Sequence, residues 1–175
     1  MPNGLAIKQI TEIDPYIAPF SEMLSLVVEG GASIGFLPPL SLGEAEAYWR
    51  GVLAPDVLLL GAFADGALAG TVQLHFCMKA NGDHRVEIAK LMTHPRFRRR
   101  GIGRVLMEAA ETTAMGMGKT LLVLDTRDGD PSNQLYTSLG YIKAGSIPRF
   151  AKSANGEYHT TNLYYRDMTY AVRPN

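Results

Sequence analysis

The sequence has very little cysteine, a single Cys77 in 175 residues. One thiol closes no internal disulfide, and no Cys/His cluster has zinc spacing, so the residue count excludes a disulfide scaffold and a structural zinc site. Cys77 reads as a small apolar strand residue, because no basic neighbour in sequence argues for an activated thiol. Net charge is also missing. Lys+Arg and Asp+Glu both number 17, so no global field favours a nucleic acid or an anionic membrane. No apolar run approaches the roughly 20 residues that span a bilayer. The opening Met1-Pro2-Asn3-Gly4 leads into no apolar segment, so no signal peptide is expected and the cytoplasm is the default location. What remains is 46% hydrophobic and 19% charged residues, enough for one globular domain over 1–175.

Periodicity and turn chemistry divide the chain. A strand is expected over 5–10, and Asp14-Pro15 reads as an N-cap with proline at the first helical position. That helix should stop at Gly30-Gly31, before a Gly/Pro-rich loop over 30–40. Ser41 and Glu44 form a capping-box pattern for a second helix through Trp49 to about Leu53. Strands over 56–63 and 67–78 flank the Ala64-Asp65-Gly66 turn, and a third over 86–93 follows Asn81-Gly82-Asp83. Ile102, Val105, Leu106, Ala109 and Ala110 have helical spacing that ends near Gly116 and Gly118. The apolar run 120–124 reads as a buried strand ending at Asp125. A short helix over 131–139 and strands over 141–147 and 158–170 complete the order β-α-α-β-β-β-α-β-α-β-β. That order predicts an α+β domain, layered around a mixed sheet.

The segment 87–107 holds the strongest chemical signal. An apolar strand runs into Arg96, Arg98, Arg99, Arg100 and Arg104, interleaved with Gly101 and Gly103, and then into a helix. Backbone N–H groups converging at a helix N-terminus among arginines suit a phosphate-bearing ligand. A Walker A loop is excluded, because no Gly-Lys-Ser/Thr follows Gly103. A dinucleotide fingerprint fails at its third glycine, where Leu106 stands. The pattern Arg98-x-x-Gly101-x-Gly103 resembles the R/Q-x-x-G-x-G/A pyrophosphate turn of the GNAT acetyltransferases. The Leu91-Met92-Thr93-His94-Pro95 segment before it resembles the strand end of that family, and 135–141, L-Y-T-S-L-G-Y, resembles its L-Y-x-x-L-G-F signature. More loosely, 30–36, the segment from Gln73 through Asn81-Gly82, and the tail through Tyr165 look like the tabtoxin-resistance-type branch.

The resemblance implies a GNAT fold of about seven strands and about four helices, and acetyl transfer from acetyl-CoA to a primary amine without a metal. It implies that Arg98, Arg99, Arg100, Gly101, Ile102, Gly103 and Arg104 hold the pyrophosphate, and that Leu91, Met92 and Thr93 line the pantetheine arm. Asparagine seven residues before the signature tyrosine is replaced by Gly129, so the family's asparagine contact does not carry over; Asn133 stands only three before. The reaction needs a base, because an α-amine titrates near ~8 and a lysine-like amine near ~10.4. Glu87 and Asp125 are the carboxylates placed for it, and the choice between them stays open. Tyr136, at the signature position, could protonate the departing thiolate. The acceptor pocket is expected to draw on Ser33, Phe36, Trp49 and Arg149, the last as a cation for an acceptor carboxylate.

The acceptor expected from the resemblance is a small-molecule amine, such as an amino-acid-like toxin or metabolite. A protein or peptide amine is the alternative within the class, and a non-catalytic acyl-CoA sensor the alternative outside it. No Ser-His-Asp or Cys-His set suggests an acyl-enzyme. Many proteins of the resembled family dimerise, which leaves a homodimer open.

Overall fold

The computed structural model describes residues 4–169. The expected strand end at Tyr170 and the first three residues lie outside them. Seven strands and four α-helices are described: β1 (Leu5–Ile10), α1 (Ile17–Glu29), α2 (Leu42–Arg50), β2 (Val57–Ala64), β3 (Ala67–Phe76), β4 (Arg85–Thr93), α3 (Ile102–Gly116), β5 (Leu121–Arg127), α4 (Ser132–Ser138), β6 (Ile142–Lys152) and β7 (Tyr158–Asp167). They form one mixed sheet in the order β1-β2-β3-β4-β5-β7-β6. Only β4 and β5 pair in parallel, across the α3 crossover.

Both faces of the sheet are covered, which explains the unbroken apolar run of β2. Leu58, Leu60 and Ala62 point to the side carrying α3 and α4, together with Leu74, Ile88, Leu106, Leu122 and Tyr136. Leu59 and Phe63 point to the side carrying α1 and α2, with Phe20, Leu24 and Trp49. This is the period-2 alternation of a strand buried on both sides.

The capping box forms as its sequence predicts. Ser41 Oγ accepts from the Glu44 N–H at 3.2 Å, and Glu44 Oε2 accepts from the Ser41 N–H at 3.0 Å. Helix α2 ends at Arg50 rather than Leu53, because Gly51 takes the C-cap. Asp14-Pro15 does not cap α1. Asp14 to Tyr16 form a 3-10 turn with no side-chain cap, and α1 starts at Ile17. The Asp14 carboxylate pairs with Arg50 at 2.6 Å instead. Strand β3 stops at Phe76, so Cys77 lies just past it. The Lys79 backbone N–H and Arg85, whose Nη2 donates to Sγ at 3.4 Å, hold that thiol below its usual range. Strand β5 continues to Arg127, because β7 pairs with its whole length. Strand β6 runs to Lys152 through two irregularities in its pairing with β7. No described helix is long and apolar enough to cross a membrane.

Candidate active site

The centre of the sheet opens. Strands β4 and β5 are registered at Arg85–Leu121, Val86–Leu122 and Glu87–Val123, and pairing stops there although β4 continues to Thr93. The cause lies on the other edge of β4. Thr71 pairs with Met92 and Gln73 with Ala89, which leaves Lys90 and Leu91 opposite Val72 alone. Lys90 absorbs this bulge at φ +51°. Beyond Glu87 the β5-facing edge of β4 therefore offers backbone groups to a ligand. Of the expected pantetheine rail, Met92 and Thr93 sit on this stretch, paired with β3 through their other edge. The Met92 side chain is buried beneath α1, and Leu91 packs towards α3, so only their backbones face the opening.

The strand leads into the Arg/Gly turn. Arg99 has φ +62° and Gly101, the N-cap of α3, has φ +78°. Val105 N–H bonds back to the Gly101 carbonyl at 3.1 Å. The N–H groups of Arg99, Arg100, Gly101, Ile102, Gly103 and Arg104 find no hydrogen-bond acceptor among the described residues. This is a donor cluster with a helix dipole behind it. Gly103 ties the turn to the second motif, since a Cβ there would meet Leu135 at 3.4 Å and Thr93 at 3.9 Å. The arginine side chains are less available than the sequence suggests. Arg98 reaches the C-terminal end of α1 beside Gly30. Arg104 donates to Ser138 Oγ at 2.6 Å and lies 3.9 Å from Glu108.

Glu87 and Asp125 share one face of the sheet. The cross-strand pairs His75–Glu87, Glu87–Val123 and Val123–Tyr165 form one row, and Asp125 lies two residues beyond Val123. Both carboxylates are exposed. Asp125 Oδ2 accepts from Thr161 Oγ1 at 2.9 Å. Tyr136 approaches from the opposite side, on α4. It is 6% exposed, and burial, followed by the charges of Asp125 and Asp130, raises its phenol far above the usual range. Asn133 is occupied elsewhere. Its Oδ1 accepts from Asn162 and Tyr164, each at 2.9 Å, and its Nδ2 donates to the carbonyls of Arg127 and Asp130.

The acceptor side differs more from expectation. Ser33 and Phe36 do line a small cavity, faced by Arg127, Lys152 and Ser153. Trp49 does not reach it. That side chain is fully buried, its Nε1 donates to the Phe20 carbonyl at 2.9 Å, and its ring meets Phe20 edge-on. Trp49 belongs to the core beneath α1. Arg149 is drawn outward, at φ +56° in the irregular part of β6, with its guanidinium 4.7 Å from the Tyr158 ring centroid. No described hydrogen bond or ion pair joins it to Glu87 or Asp125.

Gln73, His75 and Lys90, near the carboxylates, escaped the sequence reading as site residues. Gln73, almost fully buried, donates to Tyr48 OH at 2.8 Å, and its Oε1 lies 2.9 Å from His75 Nε2. Lys90 donates to the Ile34 carbonyl at 2.6 Å. Burial holds its ammonium below the usual lysine range, against the opposing pull of Asp125 and Glu87. The signal was a lysine inside the apolar run I-A-K-L-M.

The chain is similar to an uncharacterized N-acetyltransferase of the hisH–hisA intergenic region of Azospirillum brasilense. Identity is 33% over 105 residues, covering 58% of this chain and 62% of the relative's length. The yncA structure from Salmonella typhimurium, solved with its cofactor acetyl-CoA, superposes with a TM-score of 0.79 at 18% identity and covers 99% of each chain. The ribosomal-protein-alanine N-acetyltransferase of Brucella melitensis gives a TM-score of 0.78 at 18% identity, over 93% of this chain and 99% of that one. At such identities these structures establish a shared fold. A model of the acetyltransferase (GNAT) family matches residues 32–141, from the Ser33 loop to the end of the Leu135 motif. That match spans the opened strand, the donor turn and both motif helices, and the chain belongs to the acetyltransferase (GNAT) family.

Proposed function

We propose that this protein transfers an acetyl group from acetyl-CoA to the primary amine of a small molecule, as a cytoplasmic enzyme. The observation that carries the reading is a coincidence of place. The gap between β4 and β5 opens directly beside the unpaired N–H groups of the 99–104 turn, with two carboxylates at its mouth. The residues fit the cosubstrate in three ways. The turn suits a pyrophosphate, the free edge of β4 suits an amide-bearing arm, and Tyr136 supplies a buried hydroxyl. Bound there, acetyl-CoA would supply the activated acyl group.

The chain's own residues do the rest. Glu87, whose carboxylate has no described hydrogen bond, takes the proton from the acceptor ammonium, directly or through a water. Asp125, fixed by Thr161, grips the charged amine before that step. Tyr136 keeps its proton and offers it where negative charge develops. An amino-acid-like acceptor is the form of this proposal that the tabtoxin-resistance resemblance supports.

The test is free-thiol release from acetyl-CoA against a panel of small amines and of peptides with free N-termini. Release with small amines supports the proposal. Release with peptides alone makes it a protein acetyltransferase. Tight acetyl-CoA binding without release for any acceptor makes it a sensor. Glu87→Gln should lower kcat by about 10²-fold, the scale of a lost general base. Asp125→Asn should chiefly raise the acceptor KM, and the reverse split exchanges the two roles.

A further inference from the structure

Lys90 is an anomaly by three separate measures. It is a non-glycine residue at φ +51° inside a strand, a conformation that costs on the order of 1 kcal/mol or more. It is a half-buried lysine inside the apolar stretch Ile88–Met92 of β4. It also reaches across 56 positions of sequence to donate to the Ile34 carbonyl at 2.6 Å. Strain of this kind persists only where surrounding structure holds it, and here the bulge aims the side chain at the 30–40 loop.

The loop is built to receive it. Gly35 has φ +89°, and a Cβ there would lie 3.0 Å from Lys90 Nζ, so a side chain would force the lysine to move. Phe36 presents its ring at 5.8 Å from the same ammonium, within cation–π range. Phe36 then meets Tyr48 edge-on at 5.0 Å, and Tyr48 is held by Gln73, itself linked to His75 opposite Glu87. A circuit of contacts thus joins the loop to β4 and β3 beside the carboxylates. Asp125 and Glu87 pull on the ammonium from the sheet side, and Ile34 and Phe36 hold it from the loop side.

We propose that Lys90 is a specificity-determining positioning residue: its ammonium latches the 30–40 loop over the β4 bulge and so fixes the wall of the acceptor pocket formed by Ser33 and Phe36. The inference rests on the acetyltransferase reading for what the pocket accepts, but the latch is measurable without any acetyl transfer. With the latch in place, the Phe36 ring and the Ser33 segment keep one arrangement. Without it, the loop ends stay tied by the Ala32–Val27 and Ser25–Leu40 hydrogen bonds, but the Ser33–Phe36 stretch between them keeps only apolar packing and the pocket wall loses its fixed point.

Amide hydrogen exchange of the ligand-free protein tests it. Lys90→Met should speed exchange of the Gly31 and Ala32 amides, the two in this segment bonded to α1 carbonyls, by roughly tenfold, the scale of one lost charge-assisted hydrogen bond, while β5 and α3 keep their protection. Lys90→Arg should retain most of it. Gly35→Ala disturbs the same contact from the loop side and should give the same local pattern, should Lys90→Met fold poorly. Acetyl-CoA affinity by calorimetry should stay within about twofold, because the 99–104 turn is untouched. For the panel amine that the native protein turns over fastest, Lys90→Met should raise the acceptor KM about tenfold with little change in kcat. Unchanged Gly31 and Ala32 exchange in both Lys90→Met and Gly35→Ala overturns the latch. So does exchange that rises equally throughout β4, since the lysine would then merely stabilise the strand. Faster loop exchange without acetylation of any panel amine keeps the latch and sinks the acetyltransferase reading.

Discussion

A single hydroxyl illustrates what burial does to chemistry at this site. The Tyr136 ring packs 5.9 Å from Tyr141 and 6.0 Å from Tyr164, so it is a core aromatic as well as a candidate acid. Burial and two nearby carboxylates raise its phenol far above the usual ~10, so it remains protonated across any working pH. A proton held so firmly is poorly released to a thiolate, whose conjugate acid titrates near ~8.5, but it makes a strong hydrogen-bond donor to developing charge. Tyr136→Phe should therefore cost roughly 10²-fold in kcat and leave the acetyl-CoA KM within a few-fold. The alkaline limb of the native rate profile should lie below pH ~10 only if another group causes it, and Tyr136→Phe should leave that limb in place. An unchanged kcat would remove the tyrosine from the chemistry. This residue was legible in sequence because it sits inside a motif. Lys90 was not, because its importance comes from a bulge, and a bulge is a matter of register between strands. Trp49 was misread for a related reason: an aromatic near a Gly-rich loop looks the same in sequence whether it faces a ligand or Phe20.

At the scale of elements, short-range chemistry was legible and long-range pairing was not. Ser41 and Glu44 are three residues apart, so their reciprocal bonds are a property of local sequence. The end of β5 depends on β7, some forty positions later, and so the strand runs past Asp125. The turn that opens α3 is local in the same sense as the capping box, and its two glycines are distinguishable. Gly101 needs its φ of +78°, although a Cβ there would meet nothing within 4 Å. Gly103 is helical, and a Cβ there would make ordinary contact with Leu135 and Thr93. Gly101→Ala should thus cost about 1 kcal/mol and weaken acetyl-CoA binding by about tenfold as the donor cluster is re-aimed. Gly103→Ala should be milder for stability, with its effect confined to how closely a ligand can approach. Calorimetric titration with acetyl-CoA separates them, and equal losses would mean that close approach rather than backbone conformation limits the turn.

For the whole molecule, the opening between β4 and β5 is a mechanical weakness at the centre of the sheet. Only three registered pairs join β1–β4 to β5–β7 there. The two halves must therefore be held together by what crosses the faces, and α3 does so. Its apolar side covers β2, β3 and β4. On the other half, Glu111 of α3, 6% exposed, receives Arg166 Nη1 of β7 at 2.6 Å on Oε2. The Arg166 guanidinium also lies 5.9 Å from the Tyr141 ring centroid, and the charge of Glu111 adds to burial in pushing the Tyr141 phenol up. Glu111 Oε1 is buried without a hydrogen bond that meets normal geometry among the described residues, although the Tyr141 hydroxyl lies beside the carboxylate, so Arg166 supplies its charge compensation. Replacing Arg166 by Met keeps the apolar stem and leaves a buried, unpaired charge. The expected loss is about 3 kcal/mol, or a Tm lower by about 10 °C for a domain of this length. The Glu111→Leu/Arg166→Met double variant should recover most of it, because replacing both charges removes the desolvation penalty that the single variant exposes. A loss under about 1 kcal/mol in Arg166→Met would show that the ion pair contributes little to holding the two halves together.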